Sequence, residues 1–435
     1  MEKLMVPNTT TKSKAMTLKV KGPQIPFGSV QVSGAKNAAT RLMAAAMLTG
    51  DPVNLLNFPT ELVDVRHKAR FIEAMGGKVT FDIEAATAAF DCSKLVPQEL
   101  ESYSFPIRTT YLLAAGQLLR QGEAFIPYPG GCNLGARKYD LHIMVWETLG
   151  CSVEEKENHI KISGYLRGAD IHFPISTVGG TENALLCAVI AKGKTRIYNA
   201  YVTPEIRNLI ELLTLMGARI SVTGTSLIEV EGVGHLRGAT IPIISDRIEA
   251  LTWIIFAAIS QGEILVENVP FDLMEIPLLH LKKAGLDFFA NSTSIWISPK
   301  SSASAGLQPF EVACGTHPGI ISDMQPFYVL LGLHAQGRSL VVDYRYPSRT
   351  AYLEQLSKFY PGCIQWEPGK IVIHGSKKPV GASVTSTDLR GSMSLVLAGI
   401  LADGQSQIEK VHMALRGYDR MEEKLAALGI NASID

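Results

Sequence analysis

Six times along the chain, a segment with apolar residues at helical spacing closes on an apolar residue and a glycine, then gives way to a β-prone run. The junctions read AMGGKVTF, TLGCSVEE, LMGARISV, KAGLDFFA, FYPGCIQW and ALGINASI, with marker glycines Gly76, Gly150, Gly217, Gly285, Gly362 and Gly429. Their spacings of 74, 67, 68, 77 and 67 residues define a repeat of about 70. A second kind of segment keeps the same rhythm but is apolar on every face, as in AKNAATRLMAAAMLTG, TENALLCAVIAKG and LRGSMSLVLAGILADG. Its closing glycines are Gly50, Gly122, Gly193, Gly262, Gly337 and Gly404, each expected in the left-handed conformation that ends a helix. A helix that is apolar all round needs cover on all sides, so neighbouring units must share cores. The period is too long for the common solenoid repeats. Six such units predict an α/β chain of two domains with three units each, and a boundary near Ile241–Asp246.

Polar residues gather where the all-apolar helices begin: Lys36 and Asn37, Arg108, Thr181 and Glu182, Asp246 and Arg247, Asp323, and Arg390. Asp246 and Asp323 each follow a serine and suit capping. The three cations are harder to explain, because a helix N-terminus carries partial positive charge and disfavours each by about 0.3–1 kcal/mol. An anion neutralises that cost, so the starts of these helices read as a site for phosphate or carboxylate. A second signal is the loop Pro129–Arg137, PGGCNLGAR, with Cys132 at its centre and Arg137 at its end. A loop thiol near a cation ionises readily, although from the loop alone an inert small residue in a turn is the simpler reading.

Composition narrows the classes. A chain of 435 residues has room for two to four domains, and 46% hydrophobic residues argue against disorder. The 41 basic residues balance 41 acidic ones, which leaves no electrostatic footprint for nucleic acid. Apolar runs such as Ala250–Ile259 fall short of the roughly 18 residues of a membrane span. The polar stretch Met1–Lys21 lacks a signal-peptide core, so a cytoplasmic location is expected. Six cysteines without CxxC and ten histidines without HxxxH predict neither a disulfide framework nor a zinc site. Neither GxGxxG nor GxxxxGK[ST] occurs, so a dinucleotide fold and a P-loop are not supported.

With these features in place, the chain resembles the enolpyruvyl transferases, and within them the branch that acts on an amino-sugar nucleotide. The matching pieces are VSGAKNAA (31–39), PGGCNLGAR with the following DLH (129–142), THPGIISDMQ (316–325), DLRGSMSLVLAG (388–399) and RGYDRMEEKLAALG (416–429). They run in family order over nearly the whole chain. The resemblance implies a two-domain inverse αβ barrel of six βαβαββ repeats, three per domain. Residues 1–35 and 246–435 would form one domain, with a disordered lead-in at 1–16, and residues 36–245 the other. The implied reaction moves the enolpyruvyl group of phosphoenolpyruvate to a hydroxyl of UDP-N-acetylglucosamine with release of phosphate, the first committed step of peptidoglycan synthesis. No metal or redox cofactor is implied.

The same resemblance assigns roles. Lys36 would bind phosphoenolpyruvate and help protonate its methylene carbon, and Asn37 would hold the acceptor sugar. Arg137 and Arg416 would contact the phosphate and carboxylate of phosphoenolpyruvate, with Arg349 and Arg390 adding positive charge. Arg108 would lie near the acceptor's diphosphate. Cys132 would form the covalent adduct and be the residue alkylated by fosfomycin. Asp323 would take the acceptor's hydroxyl proton. Asp140 and Leu141 would meet the uracil, and Thr177, Val178 and Gly179 the uridine diphosphate. Some positions depart from the family pattern. Lys138-Tyr139 replaces a proline and a hydrophobic residue, Thr40-Arg41 stands where Leu-Pro is usual, and Arg345-Tyr346 replaces an aliphatic-aromatic pair beside the sugar. These departures fit drift at tolerant positions. They also fit a paralogue that uses another uridine nucleotide, such as UMP, in nucleoside-antibiotic synthesis. A catalytically silent binding paralogue predicts loss of Cys132, Asp323 or the arginines, and all are present.

Overall fold

The computed structural model describes residues 16–100, 107–128, 139–301, 306–375 and 377–435. The chain divides into two compact units, both discontinuous in sequence. The first takes the chain up to Gln31, Ala250–Glu267 and Met274–Asp435, and the second takes Val32–Glu249 and Asn268–Leu273.

Each repeat contributes a buried helix followed by an amphipathic one. In the second unit these are α1 (Lys36–Ala46) and α2 (Val63–Ala74), α3 (Ala114–Gln121) and α4 (Asp140–Thr148), and α5 (Val178–Ala188) and α6 (Pro204–Leu215). In the first unit they are α7 (Arg247–Ser260, which enters this unit at Ala250), α8 (Glu275–Lys283), α9 (Gln325–His334), α10 (Ala351–Phe359) and α11 (Leu389–Leu401). The short α12 (His412–Leu415) and α13 (Met421–Ala427) complete the series. All thirteen residues of α11, and nine residues each of α1, α5 and α9, are buried. The all-apolar pattern therefore has the physical meaning it suggests: these helices are the centres of the cores. The amphipathic helices cover them with one face.

The six marker glycines all adopt left-handed backbone, with φ between +72° and +104°. That conformation turns each amphipathic helix into the following strand and is strained for residues with a Cβ. The closing glycines of the buried helices behave less uniformly than expected. Gly122 caps α3 at φ +70°. Gly193, Gly337 and Gly404 have positive φ, but they lie beyond their helices at the entry to the next strand. Gly50 and Gly262 do not have positive φ at all. In the fourth repeat Gln261 takes the left-handed position at φ +56°, and Gly262 instead packs where a Cβ would come within 2.6 Å of Pro26. The reason is that the apolar segments are longer than the helices. α1, for example, ends through Met47 in a right-handed turn before Gly50 is reached.

Among the described residues each unit contains three sheets. Across α5, α9 and α11 the strands before and after the helix pair in parallel, as Asp170–Thr177 does with Lys194–Ala200. The crossings between units break this rule. Phe27–Gln31 precedes α1 yet pairs with Glu263–Glu267, and Thr240–Pro242 precedes α7 yet pairs with Val53–Leu56. The two crossings thus exchange strands. In the first unit, Thr17–Gly22 lies between Gly404–Glu409 and Ala432–Ile434, antiparallel to both.

Candidate active site

In the second unit the expected substrate contacts sit at or just before the starts of helices, most of them half-buried above an enclosed polar layer. Lys36 opens α1, and its Nζ lies 2.9 Å from the buried Asp64 carboxylate on α2. Asn37 follows it, half-buried. Arg108 immediately precedes the 3-10 turn Thr109–Leu113 that leads into α3. Thr177 caps α5: its Oγ1 accepts from the Gly180 N–H at 3.3 Å, while its carbonyl accepts from the Thr181 hydroxyl at 2.7 Å. Asp140 opens α4 and is exposed, with Leu141 beside it half-buried. Gly179 is fixed by close approach. A Cβ there would lie 3.0 Å from the Tyr111 hydroxyl and 3.1 Å from His142 Cε1.

Beneath these residues runs a network that the sequence did not reveal. The Tyr111 hydroxyl donates to the fully buried Glu182 carboxylate at 2.7 Å, and Arg41 forms an ion pair with the same carboxylate. The Tyr111 ring stacks on His142 with centroids 3.5 Å apart. Burial, aided by the Arg108 charge, holds His142 neutral with its pKa lowered to about 3. The fully buried Lys68 donates to the Thr40 carbonyl at 2.7 Å. Burial drives its pKa down to about 7, opposed first by Glu182.

In the first unit the centre is a clamp on one carboxylate. Asp323 lies in the turn that leads into α9, with 31% of its side chain exposed. Arg349 donates to Asp323 Oδ1 at 2.8 Å, to the Ser322 carbonyl at 2.9 Å and to Asp388 Oδ1 at 2.7 Å. Arg390 Nε stands 3.7 Å from the other Asp323 oxygen, and its Nη1 donates to the Gly417 carbonyl at 3.3 Å, next to Arg416. Burial works against the Arg349 charge, but Asp388 and Asp323 outweigh it and push the guanidinium pKa up. Asp388 also caps α11, accepting from the Arg390 and Gly391 N–H groups at 3.1 Å each. Arg345 and Tyr346 are held by their backbone: both N–H groups donate to the buried Asp343, at 3.0 and 2.8 Å. Asp343 in turn accepts from Ser322, the neighbour of Asp323, at 2.9 Å.

The structure thus brings Asp323, Arg349 and Arg390 into one cluster, with the Gly417 carbonyl against it. It also shows that the cations at the helix starts have the protein's own carboxylates for company: Asp64 for Lys36, and Asp323 for Arg390. Asp246 is the cap it was expected to be, accepting from the Ile248 and Glu249 N–H groups. Sequence reasoning missed Asp64, Asp343 and Asp388. Only Asp388 left a usable signal, an aspartate directly before an apolar helix. Cys132, Arg137 and Lys138 lie outside the described residues. The other five cysteines are buried, and burial raises their thiol pKa values, that of Cys92 to about 12.

The ion-pair cluster of Asp323, Arg349, Arg390 and Asp388 gathers at the starts of buried helices in a sixfold α/β repeat. Over residues 20–425 the chain matches the family model of EPSP synthase (3-phosphoshikimate 1-carboxyvinyltransferase), and it belongs to this enolpyruvyl transferase family. Among its relatives is the UDP-N-acetylglucosamine 1-carboxyvinyltransferase of Novosphingobium aromaticivorans, 35% identical over 94% of this chain and 97% of that one. The protein of the same name from Escherichia fergusonii is 36% identical over 95% of this chain and 97% of that one. Among solved structures, the enolpyruvyl transferase NikO from Streptomyces tendae superposes with a TM-score of 0.86 at 22% identity, covering 97% of this chain and 99% of that one. EPSP synthase from Acinetobacter baumannii gives 0.72 at 17% identity, covering 97% and 100%. At those identities the two structures establish the fold. Among the described residues, no helix is long and apolar enough to cross a membrane.

Proposed function

We propose that this protein is a cytoplasmic enzyme that transfers the enolpyruvyl group of phosphoenolpyruvate to a hydroxyl of UDP-N-acetylglucosamine, releasing phosphate. The observation that carries the acceptor assignment is the identity of 35–36% over 94–95% of the chain with relatives bearing that activity in their names.

In this reading the acceptor hydroxyl oxygen adds to C2 of phosphoenolpyruvate while C3 gains a proton, which gives a tetrahedral phosphate-bearing adduct. Loss of a C3 proton then expels phosphate and restores the double bond. Lys36 supplies the first C3 proton, and Asp323 accepts the hydroxyl proton. Arg349 and Arg390 stand against the two oxygens of Asp323, and a partly exposed carboxylate so held is placed to act as a base. Arg390, Arg349, Arg137 and Arg416 offset the charge of phosphate and carboxylate, and Cys132 forms the adduct with phosphoenolpyruvate. Asn37, Arg108, Asp140, Leu141 and Thr177–Gly179 bind the nucleotide. Arg345 and Tyr346 flank its sugar end. They are the observation that keeps a second acceptor, UMP, in the experiment.

The test is phosphate release from phosphoenolpyruvate with UDP-N-acetylglucosamine and with UMP in parallel. Turnover with the sugar nucleotide supports the proposal. Turnover with UMP alone replaces it with the specialised paralogue, and no turnover with either leaves the silent binding protein.

A further inference from the structure

Glu182 is fully buried in α5, one of the all-apolar helices, and the groups that reach it come from different substrate-facing elements. Arg41 of α1 forms its ion pair and also donates from Nη1 to the carbonyl of Asn37, one turn back. Tyr111, three residues after Arg108, donates to it, and the ring of Tyr111 stacks on His142, next to Leu141. Lys68 of α2 feels its charge, and one turn earlier on α2 Asp64 holds Lys36. Glu182 itself lies five residues after Thr177. One carboxylate therefore connects the segments bearing Lys36, Asn37, Arg108, Leu141 and Thr177–Gly179.

Stability does not account for this arrangement. Replacing a buried ion pair with apolar residues of similar volume is often neutral or stabilising, and both helices are otherwise apolar enough to take such residues. What the pair adds is direction: an ion pair fixes the rotation and spacing of two packed helices, where apolar contacts tolerate sliding.

We propose that Arg41 and Glu182 are positioning residues for the acceptor nucleotide, their ion pair setting the first turn of α1, with Asn37, against the first turn of α5, with Thr177–Gly179. This inference rests on the acceptor-binding role given to those segments above.

The test compares the wild type with the double variant Arg41→Met/Glu182→Gln, which removes both charges, fills most of the space of the arginine with an unbranched chain and leaves Tyr111 an acceptor. KM for acceptor and for phosphoenolpyruvate, kcat and melting temperature are measured on each. The expected result is an acceptor KM raised about tenfold or more, with the phosphoenolpyruvate KM and the melting temperature little changed. Arg41→Lys, which retains the charge, should recover part of the loss. An unchanged acceptor KM, whether or not the melting temperature falls, overturns the proposal. Should the double variant fail to fold, Arg41→Lys alone decides: it keeps the charge pair but not the guanidinium geometry, and an acceptor KM equal to that of the wild type overturns the proposal. A wild type that releases no phosphate with either nucleotide removes the functional reading, and this inference with it.

Discussion

Asp388 does two separable things, and a pair of substitutions tells them apart. Its Oδ1 caps α11 through two backbone N–H groups and also takes Arg349 Nη2 at 2.7 Å. Asp388→Asn keeps a good capping oxygen but takes one negative charge from a guanidinium that is 3% exposed. Breaking a buried ion pair from one side costs about 3–5 kcal/mol. Asp323 remains on Nη1, so the lower end, about 3 kcal/mol, applies. For a unit of this size each kcal/mol moves the melting temperature by about 2–4 °C, so Asp388→Asn should melt roughly 6–12 °C lower. Asp388→Ala loses the cap as well, worth about 1 kcal/mol more. Differential scanning calorimetry of the three proteins reads these differences directly. An Asp388→Asn variant that melts within 2 °C of the wild type would refute the claim that Asp388 is what holds Arg349 charged and in place. Equal melting of the two variants would refute the capping role alone.

Two further predictions concern titration and catalysis. Lys68 has its pKa lowered by burial from an unfolded value of 10.5 to about 7, so above pH 7 the unfolded chain binds the extra proton. The buried charge therefore costs stability below pH 7; the cost falls by roughly 1.4 kcal/mol per pH unit between 7 and 10.5 and is gone above that window. Urea unfolding at pH 7.5 and 9 should show the wild type gaining on Lys68→Met, and a pH-independent difference would contradict the burial argument. Asp323→Asn should lower kcat by about a hundredfold or more while the acceptor KM changes little, because a general base acts in the transition state. Steady-state kinetics showing mainly a KM defect would make Asp323 a binding residue.

Much of the architecture was legible because it rests on periodicity. A glycine that must take positive φ leaves the same mark in each repeat, and a helix with no polar face can only be a core. The placement of Lys36, Asn37, Arg108, Asp323 and Arg390 at helix starts followed from that pattern. Their partners did not. Asp64 and Asp343 reach the site from a different helix or strand of the repeat, and a pairing made by tertiary packing has no spacing to read. Arg41 looked like an unusual residue at a tolerant position, and the Glu182 carboxylate that explains it lies 141 residues away. The strand exchange at the two crossings was invisible for the same reason, since each exchanged strand looks locally like its unexchanged counterparts. The closing glycines misled because a turn after a helix and the helix cap itself favour the same residue.

The pairing of Thr17–Gly22 with Gly404–Glu409 and Ala432–Ile434 also sets an order of events during synthesis. By the time Leu273 has been added, every residue of the second unit exists, and that unit can close. The strand Thr17–Gly22, made before any of it, must still wait for partners about 130–160 residues further on. At about 5–20 residues per second that wait lasts roughly 7–30 s, with Leu18 and Val20 uncovered and both strand edges open. An unpaired apolar edge invites pairing with other chains. The nascent protein is thus most exposed to aggregation after half of it has folded, and slowing translation late in the message lengthens that exposure.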